Sequence, residues 1–150
     1  MNEVATKHTV KTIAWQDSFS TGIADIDDQH RVLINTLNEA NAKLRSATQV
    51  VEIDQLLKDL LAYALYHFET EEALMQAFDY VGNEAAAAEQ HIRQHREFAT
   101  TAARMREQFL ATGDLDRNAL LAFLNDWLTR HILGVDQHLG KYLLSKGWHE

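Results

Sequence analysis

The sequence predicts an all-α protein, an up-down-up-down antiparallel four-helix bundle with an N-terminal arm and a short C-terminal helix. Three observations carry that prediction. The 150-residue chain has no proline and only six glycines, so little in it punctuates a helix. Apolar residues recur at steps of three and four over long runs, the period of an amphipathic helix. The links between those runs are short, which favours antiparallel neighbours.

The elements follow in order. Residues 1–12 are polar and read as a flexible tail. The bundle domain spans 13–150. It opens with an extended arm in which Ile13, Trp15 and Phe19 interrupt a Ser/Thr/Asp/Gly stretch ending at Gly22, and these side chains are expected to dock on the body. The first helix starts near Asp25 to Asp27, where Asp can cap free N–H groups, and runs to about Ala47. His30, Ile34, Leu37 and Leu44 line its inner face. The second spans roughly Val51 to Asp79, with Leu60, Ala64, His67, Glu71, Leu74 and Phe78 on one side. Tyr80 to Asn83 reads as a turn, with Asn83 capping a third helix that ends near Ala111, before Gly113. Its inward stripe holds His91, His95, Phe98, Ala102, Met105 and Phe109. Asp114 or Asp116 starts the fourth, which turns Leu120, Leu124, Trp127, Leu128 and His131 inward. Gly134 interrupts the helical signal. A short helix from about Asp136 to Ser145 follows, and Gly147 stops it.

Composition excludes several functions. The net charge of −8, with no block of lysine or arginine, argues against nucleic acid and anionic membrane surfaces as partners. The absence of cysteine removes disulfides, iron–sulfur clusters, thiolate-ligated haem and cysteine zinc sites. Residues 1–15 carry no apolar run resembling a signal peptide, and no later segment is apolar for long enough to span a bilayer. A cytoplasmic location is the expectation.

The inner faces are unusual in what they carry. Every predicted long helix turns histidine inward: His30 on the first, His67 on the second, His91 and His95 on the third, His131 on the fourth. Glu71 joins them one turn after His67, and Asp136 follows His131 by five. Burying so many polar groups without partners would cost more than the ~5–15 kcal/mol stability of a typical domain. A metal is the simplest partner, because neutral imidazole and carboxylate are both ligands. The pairs His67/Glu71 and His91/His95 have i,i+4 spacing, which aims two side chains at one point. His131 and Asp136 do not. On a regular helix they diverge by about 140°, so both reach one centre only if the helix breaks or takes a π-type turn near Gly134.

Counting narrows the metal. Seven ligands exceed the four that zinc takes. Two octahedral ions offer roughly twelve positions, and mixed imidazole and carboxylate ligands suit iron. Five histidines, two bridging carboxylates and a bridging oxide or hydroxide fill all but one of those positions. A single open position walled by apolar residues suits capture of a small diatomic molecule.

His30, His67-x3-Glu71, His91-x3-His95 and His131-x4-Asp136, in this order on four helices, resemble the hemerythrins, the bacterial ones most closely. The segments 26–30 (Ile-Asp-Asp-Gln-His), His67-Phe68-x-x-Glu71-Glu72 and Trp127-Leu128-x-x-His131-Ile132 are similar to that family's local signatures, as are the Trp15 arm and Gly22-Ile23. The resemblance covers about Ile13 to Leu144. It implies a non-haem di-iron centre with a bridging oxide or hydroxide. His91, His95 and His131 would hold one iron, His30 and His67 the other, and Glu71 and Asp136 would bridge them. Reversible O2 binding is the implied function, as carrier, store or sensor rather than enzyme, with Leu33, Phe68, Trp127, Leu128 and Ile132 forming the O2 pocket. The alternatives are a di-iron oxidase or peroxidase, and an NO-binding module. Ferritin-like di-iron enzymes use Glu-x-x-His repeats, and none occurs in this chain.

Overall fold

The computed structural model describes residues 12–149, and apart from Thr12 the predicted flexible tail lies outside them. After a single 3-10 turn, Asp17–Phe19, come six helices: α1 (Ala24–Ser46), α2 (Val50–Ala77), α3 (Tyr80–Asn83), α4 (Ala85–Thr112), α5 (Arg117–Leu133) and α6 (Val135–Ser145). The long helices α1, α2, α4 and α5 form the bundle. α2 packs on α1 and α4, and α5 closes the ring against the same two. Cross-helix partners run in opposite directions along the chain. His30 meets His67 on α2, Asp54 pairs with Arg106 and Glu71 with His95 across α2 and α4, and Phe98 and His95 face Trp127 and His131 on α5. The pairs α2–α4 and α4–α5 are therefore antiparallel, as expected from the short links.

The boundaries differ from expectation where local hydrogen bonding overrides propensity. Asp27 does not cap α1. Its Oδ1 accepts from the Thr21 backbone N–H at 2.9 Å and the Thr21 hydroxyl at 2.8 Å, and its Oδ2 accepts from Ser20 at 3.1 Å. Thr21 Oγ1 in turn accepts from the Ile23 N–H. A buried aspartate on the helix thus ties down the arm before it. The predicted turn 80–83 is a one-turn helix, α3. It is set off from α2 by Asp79, whose φ of 54° is the one left-handed non-glycine backbone among the described residues. Short polar residues tolerate that region best. Asn83 does not cap α4, since Glu84 occupies that position without a side-chain bond, and the Asn83 amide donates to the Tyr142 hydroxyl at 2.8 Å instead. At α5 the Asp116 carboxylate accepts from the Ala119 N–H at 3.0 Å, an N-cap of the predicted kind.

The arm docks as expected. Phe19 is buried, Asn38 exchanges two hydrogen bonds with the Ile13 backbone, and the Arg31 guanidinium lies 4.2 Å from the Trp15 ring centroid. Two apolar clusters fill the interior. The larger runs along the bundle through Leu37, Leu44, Leu57, Leu60, Phe98, Phe109, Leu120 and Leu124. The smaller gathers Ile23, Ile26, Met75, Tyr80, Leu139 and Leu143 where α6 folds back. No helix among the described residues is long and apolar enough to cross a membrane.

Candidate metal centre

Between the two apolar clusters lies a polar layer. All seven residues picked out by helix phase converge there, and none is more than 3% exposed. α1 brings His30, α2 His67 and Glu71, α4 His91 and His95, α5 His131, and α6 Asp136. The helix is broken between the last two. Gly134 has φ −104° and ψ −97°, which no regular helix adopts, and α6 starts afresh at Val135. A Cβ at position 134 would stand 2.9 Å from the Arg130 carbonyl oxygen, so glycine fits the corner where a larger residue would collide. The break returns Asp136 to the side from which His131 points, and the His131 Nε2 to Asp136 Oδ1 distance is 3.3 Å.

The histidines fall into a group of three and a group of two. Ring centroids of His91, His95 and His131 lie 4.6–5.0 Å apart, and those of His30 and His67 lie 4.6 Å apart. Each carboxylate turns one oxygen to each group. Glu71 Oε1 is 3.2, 2.9 and 3.5 Å from Nε2 of His91, His95 and His131, while its Oε2 is 3.4 and 3.8 Å from Nε2 of His67 and His30. Asp136 Oδ1 is 3.1 Å from His91 Nε2, and its Oδ2 is 2.9 Å from His30 Nε2. Two overlapping sets have ligand atoms within 4.8 Å of one another: Glu71 with His91, His95 and His131, and Glu71 and Asp136 with His30 and His67.

Glu71 Oε1 is within hydrogen-bond reach of His91 and His95 Nε2, but most of the close approach is not hydrogen bonding. His30 Nε2 and Asp136 Oδ2 are within bonding distance but not aligned for it. Like Nε2 of His67 and His131 and Oε2 of Glu71, they have no hydrogen-bond partner among the described residues. Buried polar atoms that converge without pairing are costly, and cations that accept lone pairs from all of them would remove that cost. The donor set therefore fits a metal.

Three rings are held from behind. His67 Nδ1 meets Gln29 Oε1 at 2.7 Å, His131 Nδ1 meets Gln94 Oε1 at 2.8 Å, and His95 Nδ1 meets Glu72 Oε2 at 2.9 Å. Those oxygens can only accept, so each Nδ1 carries the proton and each Nε2 presents its lone pair to the centre. Sequence reasoning gave these three partners no role, because helical Gln and Glu residues are ordinarily solvated. The one available signal was adjacency: Gln29, Gln94 and Glu72 each stand next to a candidate ligand in the chain.

The electrostatics show how the cluster is tolerated with protons alone. Burial acts to lower the His91 pKa, but the charge of Glu71, joined by Asp136, raises it to about 10. Burial likewise opposes a charge on His131, and Asp136 outweighs it, so this ring too is raised. Burial lowers His95. Burial would lift Glu71, yet the charge of His67, helped by His91 and His131, holds it well below the carboxylate range. Burial and Glu71 would also lift Asp136, but His131 and His30 hold it low.

An apolar cavity of about 20 Å³ adjoins the layer. Four of the five expected pocket residues, Leu33, Phe68, Trp127 and Leu128, line it. Ile132 is buried in the same cluster but is not one of the walls, because it lies one turn past Leu128 toward the break, where its carbonyl accepts from Gln137. Phe68 stacks on His95 at 4.0 Å and Trp127 on His131 at 4.4 Å, so both aromatics stand between ligand rings and cavity. His138 stands apart from the layer, 54% exposed beside Glu84.

Comparison with known proteins agrees with this geometry. Residues 21–143 match the family model described as the hemerythrin HHE cation-binding domain. The bacteriohemerythrin of Stenotrophomonas maltophilia (strain R551-3) is 34% identical over 125 residues, covering 83% of this chain and 77% of the relative. That of Methylococcus capsulatus (strain Bath) is 30% identical over 126 residues, covering 83% and 91%. A wild-type hemerythrin crystal structure superposes with a TM-score of 0.77 at 28% identity, covering 89% of this chain and 98% of the other. With its cation-binding layer, its bundle and these relatives, the chain belongs to the hemerythrin family of non-haem iron, oxygen-binding-type domains.

Proposed function

We propose that the seven residues hold two iron ions and that the centre binds O2 reversibly, as carrier, store or local sensor, without turning over a substrate. His91, His95 and His131 would hold one ion and His30 and His67 the other, with Glu71 and Asp136 spanning both. The observation that carries this reading is the split of each carboxylate, one oxygen toward the three-histidine group and one toward the pair. When bound, the two irons would supply the electrons that O2 binding requires.

The protein's own part is positional. Gln29, Gln94 and Glu72 fix which ring nitrogen is free. Leu33, Phe68, Trp127 and Leu128 keep water from the cavity beside the centre, where it would find no hydrogen-bond partner. Phe68 and Trp127, each stacked on a ligand ring, limit the rotation of His95 and His131. A cytoplasmic location belongs to the same proposal.

The test is to load the protein with ferrous iron without air, measure iron per chain, and follow the visible spectrum through cycles of O2 addition and removal. Two irons and a colour that comes and goes with O2 are expected. One iron per chain, or zinc alone after growth with ample iron, would refute the two-iron centre. Irreversible oxidation with turnover would replace the carrier reading with an oxidase or peroxidase. Reversible binding of NO with no response to O2 would make the protein an NO module.

A further inference from the structure

Among the described residues, one partly exposed aromatic ring lies flat on a proposed ligand. Trp127 stacks on His131 with centroids 4.4 Å apart and planes 14° from parallel. Phe68 stacks likewise on His95, but Phe68 is buried. Trp127 spans the wall of the bundle. On one side it lines the dry cavity with Phe68 and Leu128, and on the other a surface pocket of about 190 Å³ with Gln94, Glu97 and Arg130. His131 borders the same surface pocket although it is only 2% exposed. Gln29 and Glu72 also link rings to the exterior, but through saturated side chains whose electrons are localised.

We propose that Trp127 is the electron-entry point of the centre: an external one-electron donor meets the protein at this pocket, and the electron passes through the indole to His131 and the iron that it would hold. The proposal rests on the two-iron, O2-binding reading above. Reversible binding lends electrons to O2 and takes them back. Oxygen that departs still carrying electrons leaves the irons ferric and unable to bind again. The chain has no cysteine to act as reductant, so the electrons come from outside. Two donor molecules each lose one electron, two ferric ions become ferrous, and no bond in the protein is made or broken. The indole carries the electron by overlap with the imidazole and ends unchanged.

The pocket's charges give a second handle on where the donor arrives. Arg130, 73% exposed, pairs with Asp126 one turn earlier on the same helix. An exposed pair of this kind contributes little, so the guanidinium is available to an anionic donor. Glu97 borders the pocket as well and repels one.

The experiment is stopped-flow reduction of the oxidised, iron-loaded protein by the sulfur dioxide radical anion from dithionite, followed by loss of the visible spectrum. Trp127→Leu should slow reduction several-fold, and Trp127→Phe, which keeps a ring beside His131, should restore most of the rate. Arg130→Glu should slow reduction by this anion and Glu97→Lys should speed it, both effects fading as salt rises. Arg93→Glu, which changes the net charge equally but lies at a different pocket, should do much less. The other readout needs no reductant. With Trp15→Phe and Trp148→Phe, Trp127 is the sole tryptophan, and its emission should be quenched by ferric iron and bright with zinc in its place. An unchanged reduction rate in Trp127→Leu with iron content and spectrum intact would overturn the proposal. Equal effects of Arg130→Glu and Arg93→Glu, or emission indifferent to ferric iron, would do the same. Should Trp127→Leu fail to load iron, the charge variants and the emission decide. Reduction that depends on Trp127 in a protein without reversible O2 binding would count against the O2 reading alone.

Discussion

The two halves of the bundle are packed to different standards. On the α6 side of the polar layer the core side chains are fully enclosed. Ile23, Ile26, Met75, Leu139 and Leu143 are wholly buried, and a Cβ at Gly140 would come within 2.6 Å of the Thr21 carbonyl oxygen. The other half is built from leucine and phenylalanine and keeps two small cavities. The difference teaches which groups need fixed positions. Converging imidazoles and carboxylates work only within narrow geometry, and dense packing from α6 and the tied-down arm supplies it. An apolar gas needs space and exclusion of water, which hydrocarbon walls give without tight fit.

The largest effect should come from breaking the dense half at its carboxylates. Glu71→Ala is expected to reduce iron below two per chain and to erase the visible spectrum of the oxidised centre, because it removes the one residue that faces all five histidines. Iron content and spectrum equal to wild type would contradict the assignment.

Acid and base should separate the loaded and metal-free proteins. Without metal, His91 and His131 have folded pKa values above the unfolded ~6.5. Their contribution is complete below that value and is lost as pH rises toward about 10. Glu71 and Asp136 are depressed, so theirs is present above the unfolded ~4 and lost as pH falls. With iron bound the rings are neutral, so the unfolded chain binds more protons below ~6.5 and stability rises with pH through that window. Denaturant titrations of both forms from pH 5 to pH 9.5 should show the loaded form gaining early and the metal-free form losing late. Parallel curves would mean that the histidines do not exchange protons for metal. The carboxylates' own contribution fails at lower pH, where iron release should be abrupt.

A smaller effect is expected in the loose half. Leu124→Ala should cost roughly 2–5 kcal/mol, the range for a buried leucine, while iron per chain stays at two. Loss of iron in this variant would show that the halves are coupled more tightly than their packing suggests.

The smallest effect should come from Glu72→Ala, which strips the Nδ1 partner from His95 but removes no ligand. Outer partners of this kind typically contribute about 10–100-fold in metal affinity. The expected result is full loading at saturating iron with faster loss to a chelator. No change in chelator kinetics would show that Phe68 stacking alone orients the ring.

The convergence of the seven buried polar residues was legible in the sequence because helix phase is periodic. Once His67 and Glu71 share a face with Leu60 and Ala64, their burial follows, and the same holds on each long helix. The break at Gly134 was legible because His131 and Asp136 are out of phase without it. The positioning residues were not, since the orientation of Gln29 toward His67 depends on how α1 rolls against α2. Asp27 was misread because an acidic residue near a helix start resembles a cap whether it bonds its own helix or the arm before it. The cavities were illegible for a different reason: periodicity says which residues face inward, not how well they fill the space between them.

The seven proposed ligands come from five helices, from His30 to Asp136, so no short segment of the chain can assemble either half of the centre. Contacts that distant form late in folding, after the cost of closing long loops has been met. Iron therefore has nothing to bind until the chain is already compact. On the proposed assignment the metal-free bundle would form first, with protons on His91 and His131 holding the place of the metal's charge. Maturation is then an exchange, metal in and protons out, in a finished fold, and the order of assembly is written into where the ligands lie along the chain.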